Sequence, residues 1–175
     1  ILTYHDAFPF DENGNSSSSQ LSKIFQRDAT EEDLIKVRPI STLTTCFKNI
    51  LVDVPPEFNQ SPILDFCIWS ILGNYGKGKY LSNIIPAAYR VHDGGVFSKQ
   101  AVDKKNRMTM HAFLCLSNYY ARLGNTKISG YFIFRTIILG CSQITFIQKV
   151  KLIGAQLDSL FGSPIYLFLK IFTRR

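Results

Sequence analysis

Acidic residues all but disappear after Asp65, and only Asp93, Asp103 and Asp158 follow it. Residues 1–65 carry five Lys/Arg and ten Asp/Glu, a net charge of −5. Residues 66–175 carry 15 Lys/Arg and three Asp/Glu, +12, so the whole chain stands at +7. Paired cysteines are also missing. Cys46, Cys67, Cys115 and Cys141 are separated by 21, 48 and 26 positions, which excludes a Cys-x-x-Cys zinc ribbon and argues against a disulfide framework. Reduced thiols in a core are the expectation. No charge-free run approaches the roughly 20 apolar residues that cross a bilayer. The longest near the end is 136–148, and extending it back to Ile128 takes in Arg135, costly in lipid. The chain has no Walker loop, Gly-x-Gly-x-x-Gly, Gly-x-Ser-x-Gly or His-Glu-x-x-His. Helix-turn-helix, zinc-finger and aromatic RNA-binding signatures are likewise missing, so nucleic acid is not an expected partner.

The 175 residues are 46% hydrophobic, 13% aromatic and 19% charged, enough for one compact domain and too apolar for a disordered tail. The chain opens at Ile1 with neither an initiator Met nor a basic-then-apolar leader, and reads as the interior of a longer protein. The basic second part suits an anionic partner, or an acidic segment of the same parent chain. The tail 163–175 mixes large apolar residues with terminal cations, as an interfacial helix or a packed terminal element would.

Local signals give a mixed order: strands and helices first, then nearly all helix. Residues 1–5 read as a strand and Asp11-Glu-Asn-Gly14 as a turn. Thr30-Glu-Glu-Asp33 starts a short helix with a capping box, stopped by Pro39. Residues 40–54, rich in Thr, Val, Ile and Phe, predict extended chain. Residues 65–73 predict a buried helix closed by Gly73. Residues 79–91 predict a bent strand or a strand pair, broken by Asp93-Gly-Gly95. From 97 to 123 the apolar spacing turns helical and ends at Gly124-Asn125, with one or two further helices over 128–160.

Three groups of residues carry chemistry. Asp65 opens an apolar helix, where a carboxylate either caps backbone N–H groups or faces a cleft and accepts a proton from an attacking hydroxyl. Arg90 and His92, two apart on an extended segment, share a face. They make either a diphosphate-facing cluster or an exposed salt bridge with a surface imidazole. His92 is also the one candidate metal ligand, without a second ligand nearby in sequence. Thr44 and Thr45, within Thr42-Leu-Thr-Thr45, and Lys48 offer hydroxyls and a cation for a polar pocket, although Thr is equally a strand residue.

In order, these pieces resemble the C-terminal half of a family 2 glycosyltransferase. Tyr4-His-Asp-Ala7 with Asp11-Glu-Asn-Gly-Asn15 is like the strand and turn after its donor-site segment. Ile40-Ser-Thr-Leu-Thr-Thr-Cys-Phe-Lys-Asn49 is like its acceptor-side segment ending in Phe-Arg-Asn. Leu64-Asp-Phe-Cys-Ile-Trp69 is similar to the Asp-Trp-x-Leu-Trp helix that carries the base. Gly78-Lys-Tyr-Leu-Ser82 followed by Tyr89-Arg-Val-His-Asp-Gly-Gly95 is similar to the Tyr-Arg-x-His-x-x-Ser strand end.

The resemblance covers about residues 1–125. It implies an α/β fold, part of a nucleotide-diphospho-sugar transferase of the GT-A type, with 126–175 a helical extension associated with a membrane surface. It implies inverting transfer from a nucleotide-sugar donor to a saccharide or lipid-linked acceptor, in surface polysaccharide synthesis at the cytoplasmic face of a membrane. Asp65 would be the base, Arg90 and His92 would stand at the diphosphate, and Thr44, Thr45, Lys48 and Trp69 would border substrate. A divalent Mg or Mn ion would share the leaving group's charge. Three departures stand out. Leu64 leaves a single carboxylate where many members have a pair, the Gln-x-x-Arg-Trp of processive members is missing, and the Asp-x-Asp metal motif would lie upstream of Ile1. The implied polypeptide is therefore an acceptor half that transfers little or no sugar alone. The alternative class is a non-catalytic basic module docking on an anionic membrane or an acidic partner.

Overall fold

A computed structural model describes residues 1–14, 19, 21–51 and 53–143. The tail 163–175 and the part of the expected helical stretch beyond 143 lie outside them. The fold is mixed α/β with two small sheets. Strand β1 (Leu2–Tyr4) is followed after two residues by β2 (Ala7–Phe10). Helix α1 (Glu31–Ile35), a two-residue strand β3 (Cys46–Phe47) and helix α2 (Leu64–Gly73) come next. Strands β4 (Gly78–Tyr80) and β5 (Ala87–Arg90) precede the long helices α3 (Val102–Arg122) and α4 (Thr126–Gln143). No helix among the described residues is long and apolar enough to cross a membrane.

The two sheets are one interrupted parallel ribbon. β1 pairs with β4, Leu2 opposite Gly78, and β2 pairs with β5, Ala7 opposite Ala87. The carbonyls of Tyr4 and Asp6 accept from the Leu81 and Ala87 N–H groups at 2.8 and 3.0 Å, carrying the ladder across the gap. Only the Leu2–Phe47 and Thr3–Cys46 pairings extend it on the other edge, antiparallel. The extended stretch expected over 40–54 is thus largely absent. Thr42–Thr44 forms a 3-10 turn instead, and β3 is all that pairs. Thr-rich composition fits a pleated surface only where a neighbouring edge is open to it, and Pro39 and Pro55-Pro56 confine that chance to a short window.

The helix signals materialise among the described residues, except that the helical stretch expected from 97 begins only at Val102. Thr30 Oγ1 accepts the Asp33 N–H at 3.0 Å and the Asp33 carboxylate accepts the Thr30 N–H at 3.0 Å, a complete capping box. Burial pushes the Asp33 carboxyl up, but hydrogen bonds from the Thr30 backbone, Arg27 and the Thr30 hydroxyl outweigh it and hold the group below its usual range. α1 ends in a turn whose Arg38 and Val37 N–H groups return to the Asp33 and Leu34 carbonyls, both at 2.9 Å. Val37 sits there at φ 60°, a left-handed position normally left to Gly or Asn. Gly124, at φ 73°, closes α3 and lets the chain reverse into α4.

Two cores flank α2. Trp69 and Leu72 pack with Leu2, Tyr4, Leu21, Ala29, Leu34 and Ile40 on the strand side. Cys67 and Ile71 pack with Phe58, Phe113, Cys115, Leu116, Tyr120 and Phe132 on the side of the α3–α4 hairpin. Between them Ser70 donates to the Ile35 carbonyl at 2.7 Å and meets the Tyr120 hydroxyl at 3.0 Å, tying α1, α2 and α3 at one point. Gly73 is required here, because a Cβ would stand 2.7 Å from the Ile35 nitrogen and 2.8 Å from the Glu31 carbonyl oxygen. α4 shares the second core through Phe132 and a Ser117–Ser129 hydrogen bond, so it packs on α3 across the boundary expected after residue 125. Cys67 and Cys115 are buried, as expected of core thiols, but Cys46 and Cys141 are exposed; all four are free.

Candidate functional site

A cavity of about 730 Å³ opens where three segments converge: residues 39–43 after α1, residues 62–66 at the start of α2, and the turn that follows β5. Asp65 stands in its wall. Helix α2 begins at Leu64 with Ile63 in the capping position and no side-chain cap, so Asp65 falls in the first helical turn instead of serving as the cap. Its Oδ1 accepts the adjacent Phe66 N–H at 3.0 Å. Its Oδ2 accepts the hydroxyl of Thr42 at 2.5 Å. Among the described residues it joins no salt bridge. It is half-buried, at the positive end of a ten-residue helix where a carboxylate is stabilised.

The 3-10 turn decides which threonine reaches it. Thr44 is buried and its hydroxyl donates back to the Ser41 carbonyl at 2.8 Å. Thr45 does the same to the Thr42 carbonyl at 2.7 Å. Thr42 alone of the three lines the cavity. Lys48 is exposed and outside the lining, its backbone N–H engaged with the Ile1 carbonyl at 3.0 Å beside β3. Trp69 is 1% exposed, edge-on to Phe47 with ring centroids 5.7 Å apart, and its indole N–H is buried without a partner. It belongs to the core that fixes α2, so the expected substrate contact is corrected to a packing one.

The cationic pair falls elsewhere too. Along β5, Ala87 and Tyr89 are partly covered while Ala88 and Arg90 are exposed. Tyr89 is the strand residue that lines the cavity. Successive side chains alternate between faces, so Arg90 takes the opposite one. His92 lies past the strand end, exposed, its carbonyl accepting the Gly95 N–H at 3.0 Å. Of the seven residues expected at the site, the cavity gathers Asp65 only.

The remaining wall is built around Ser98. The Tyr89 hydroxyl hydrogen-bonds Ser98 Oγ, and Lys105 Nζ donates to the Ser98 carbonyl at 2.6 Å. The same ammonium lies 5.7 Å from the Phe97 ring centroid. These contacts fasten the turn bearing Val96 and Phe97 to the N-terminal part of α3, which contributes Met108. The parity of Ala87 and Tyr89, the less polar of the two strand faces, was the available signal for Tyr89. Nothing local marked Thr42 out from its neighbours.

Among the described residues Asp65 is the single carboxylate of the cavity. No group of three or more His, Cys, Asp or Glu able to hold a metal occurs among the described residues. This donor set does not fit a divalent cation, and His92 has no second ligand among the described residues. Asp6, the buried carboxylate among the described residues, is consumed by structure. It accepts the Ala7 and Leu21 N–H groups at 2.8 and 3.1 Å and the Ser19 hydroxyl, pinning the kink between β1 and β2. Comparison with protein-family models, with curated proteins and with solved structures yields no match for this chain.

Proposed function

We propose that this chain is the acceptor-side part of an inverting glycosyltransferase resembling family 2, its strands and helices forming part of a GT-A-type fold, with Asp65 as the general base. One observation carries the reading. Asp65 faces a ligand-sized cavity with an oxygen already receiving a hydroxyl proton donor, Thr42, at 2.5 Å. An acceptor hydroxyl in the same relation would pass its proton to the carboxylate as its oxygen bonds the anomeric carbon. The bond from that carbon to the diphosphate oxygen breaks as the new one forms, and the nucleoside diphosphate leaves with the electron pair. No step is assigned to a metal ion. Arg90 and His92 lie outside the cavity lining, so diphosphate binding is assigned to residues outside this cavity, a departure from the roles the resemblance implies for that pair. Surface polysaccharide synthesis at the cytoplasmic face of a membrane follows from the resemblance alone.

The alternative, a basic module docking on an anionic membrane or an acidic partner, draws on α4. Its outward Ile133, Phe134, Ile137 and Ile138 are exposed, and the helix has Lys127 and Arg135 but no acid. One experiment separates the two readings: nucleoside-diphosphate release from a panel of nucleotide sugars by the full-length protein. Asp65→Asn is expected to lower release by about 10²–10⁴-fold with donor binding retained. Release that survives the substitution removes Asp65 from catalysis, and no release from any donor leaves the docking module as the better account.

A further inference from the structure

The cavity beside Asp65 has a wall that a sugar alone would not use. Leu43, Leu64, Val96 and Phe97 are 46%, 44%, 78% and 39% exposed, and all four line it. Single exposed apolar residues are ordinary on a protein surface, but several around one concavity mark a binding surface. Leu43 follows Thr42 and Leu64 precedes Asp65 in the chain, so the apolar rim borders the hydroxyl–carboxylate pair itself. Val96 and Phe97 come from the turn that Tyr89 and Lys105 fasten through Ser98, so this part of the rim is preformed. The polar groups in the lining are few: Ser41, Thr42, Asp65 and Tyr89.

A purely saccharide ligand would set most of its hydroxyls against aliphatic surface with no hydrogen-bond partners, which costs free energy. An alkyl or aryl group would instead remove that apolar surface from water. A pocket of this volume, mostly apolar with a few polar groups at one point, matches the usual make-up of small-molecule sites. We infer that the acceptor is amphiphilic: a hydroxyl that meets Asp65, borne on an apolar aglycone that lies among Leu43, Leu64, Val96 and Phe97. This rests on the reading of Asp65 as the group that receives the acceptor hydroxyl, and it narrows the acceptor class that reading leaves open.

The test is binding, which needs no transfer. The chain is titrated by calorimetry with n-octyl β-D-glucoside below its critical micelle concentration and with methyl β-D-glucoside. Octyl glucoside is expected to bind about tenfold tighter or more, a modest share of what seven added methylenes could supply. Val96→Asp and Leu43→Ser, both at exposed positions, are expected to remove most of that advantage. Ile137→Asp, on the outer face of α4, is expected to leave it intact. Equal affinity for the two glucosides overturns the inference. So does an octyl preference that ignores Val96→Asp and Leu43→Ser, or one abolished by Ile137→Asp, which would place the alkyl chain elsewhere. Octyl binding as described, with no diphosphate released from any nucleotide sugar by the full-length protein, overturns the transferase reading and leaves the amphiphile site standing.

Discussion

The two cores on either flank of α2 are held by different means. The strand-side core keeps a charge inside it. The Arg38 side chain is 1% exposed, donates to the Phe25 and Asp28 carbonyls at 2.6 and 3.2 Å, and lies 5.0 and 5.7 Å from the Phe25 and Tyr4 ring centroids. With Asp6, it fastens loops that have little apolar surface of their own. The hairpin-side core is built of rings. Phe132 meets Phe113 and Tyr120 at centroid distances of 5.6 and 6.1 Å, and the core's buried polar groups are neutral hydroxyls. The difference follows from chain topology. Two consecutive antiparallel helices meet through local contacts, whereas a parallel strand pair must be closed over some seventy residues, and directional polar contacts set its register. α2 serves both cores, so the position of Asp65 depends on each.

The strongest way to break this picture is to empty either core. Trp69→Ala and Phe132→Ala are each expected to cost about 3–5 kcal/mol, measured by urea unfolding. If α2 couples the cores, both shift the same single transition. Two separable transitions would show that the hairpin folds by itself.

A second measurement sharpens the comparison through pH. Burial pushes the Tyr4 hydroxyl up to about 12 from 10.0, against the nearby charges of Arg38 and Arg27. Burial likewise pushes the Cys67 thiol up to about 12 from 9.0, against its hydrogen bond to Ser61. Each group binds its proton more tightly folded than unfolded, so each contributes stability that is complete below its unfolded value and lost as pH rises toward 12. The hairpin-side loss through Cys67 therefore begins near pH 9.0 and the strand-side loss through Tyr4 near pH 10.0. Relative to wild type, Cys67→Ala is expected to flatten the first part of the alkaline decline and Tyr4→Phe the second. A decline unchanged by both substitutions would refute the assignment.

The smallest effect belongs to the capping box. Thr30→Ala is expected to cost about 1 kcal/mol in the same unfolding assay. A loss several times larger would mean that α1 positions more of the strand-side core than its five residues suggest.

What the sequence revealed was local. The Thr30 cap, the turn at Gly14, the helix expected over 65–73 and the stop at Gly124 each depend on residues within one turn of one another. Pairing was not legible in the same way. Residues 40–54 have strand composition, yet only Cys46 and Phe47 find an edge, because the edge belongs to β1, more than forty residues away. The site divides along the same line. Asp65 could be singled out as the one acid of an otherwise apolar helix, although a first-turn carboxylate is also what a helix start favours, so its facing a cavity was not legible. Arg90 and His92 would share a face only if the strand ran on, but it ends at Arg90; which face looks into the cavity depends on what covers β5, and Tyr89 takes that side. Among three threonines, only the fold of the 3-10 turn selects Thr42.

Val37 bears on the site from outside it. A branched side chain at that backbone angle is unfavourable by roughly 1–2 kcal/mol, and the turn would relax if left to itself. What keeps it wound is the next residue, whose guanidinium is locked beneath Tyr4 and Phe25. The 3-10 turn bearing Thr42 starts four residues later, so a cation with no place in the chemistry anchors the corner from which the chain approaches Asp65.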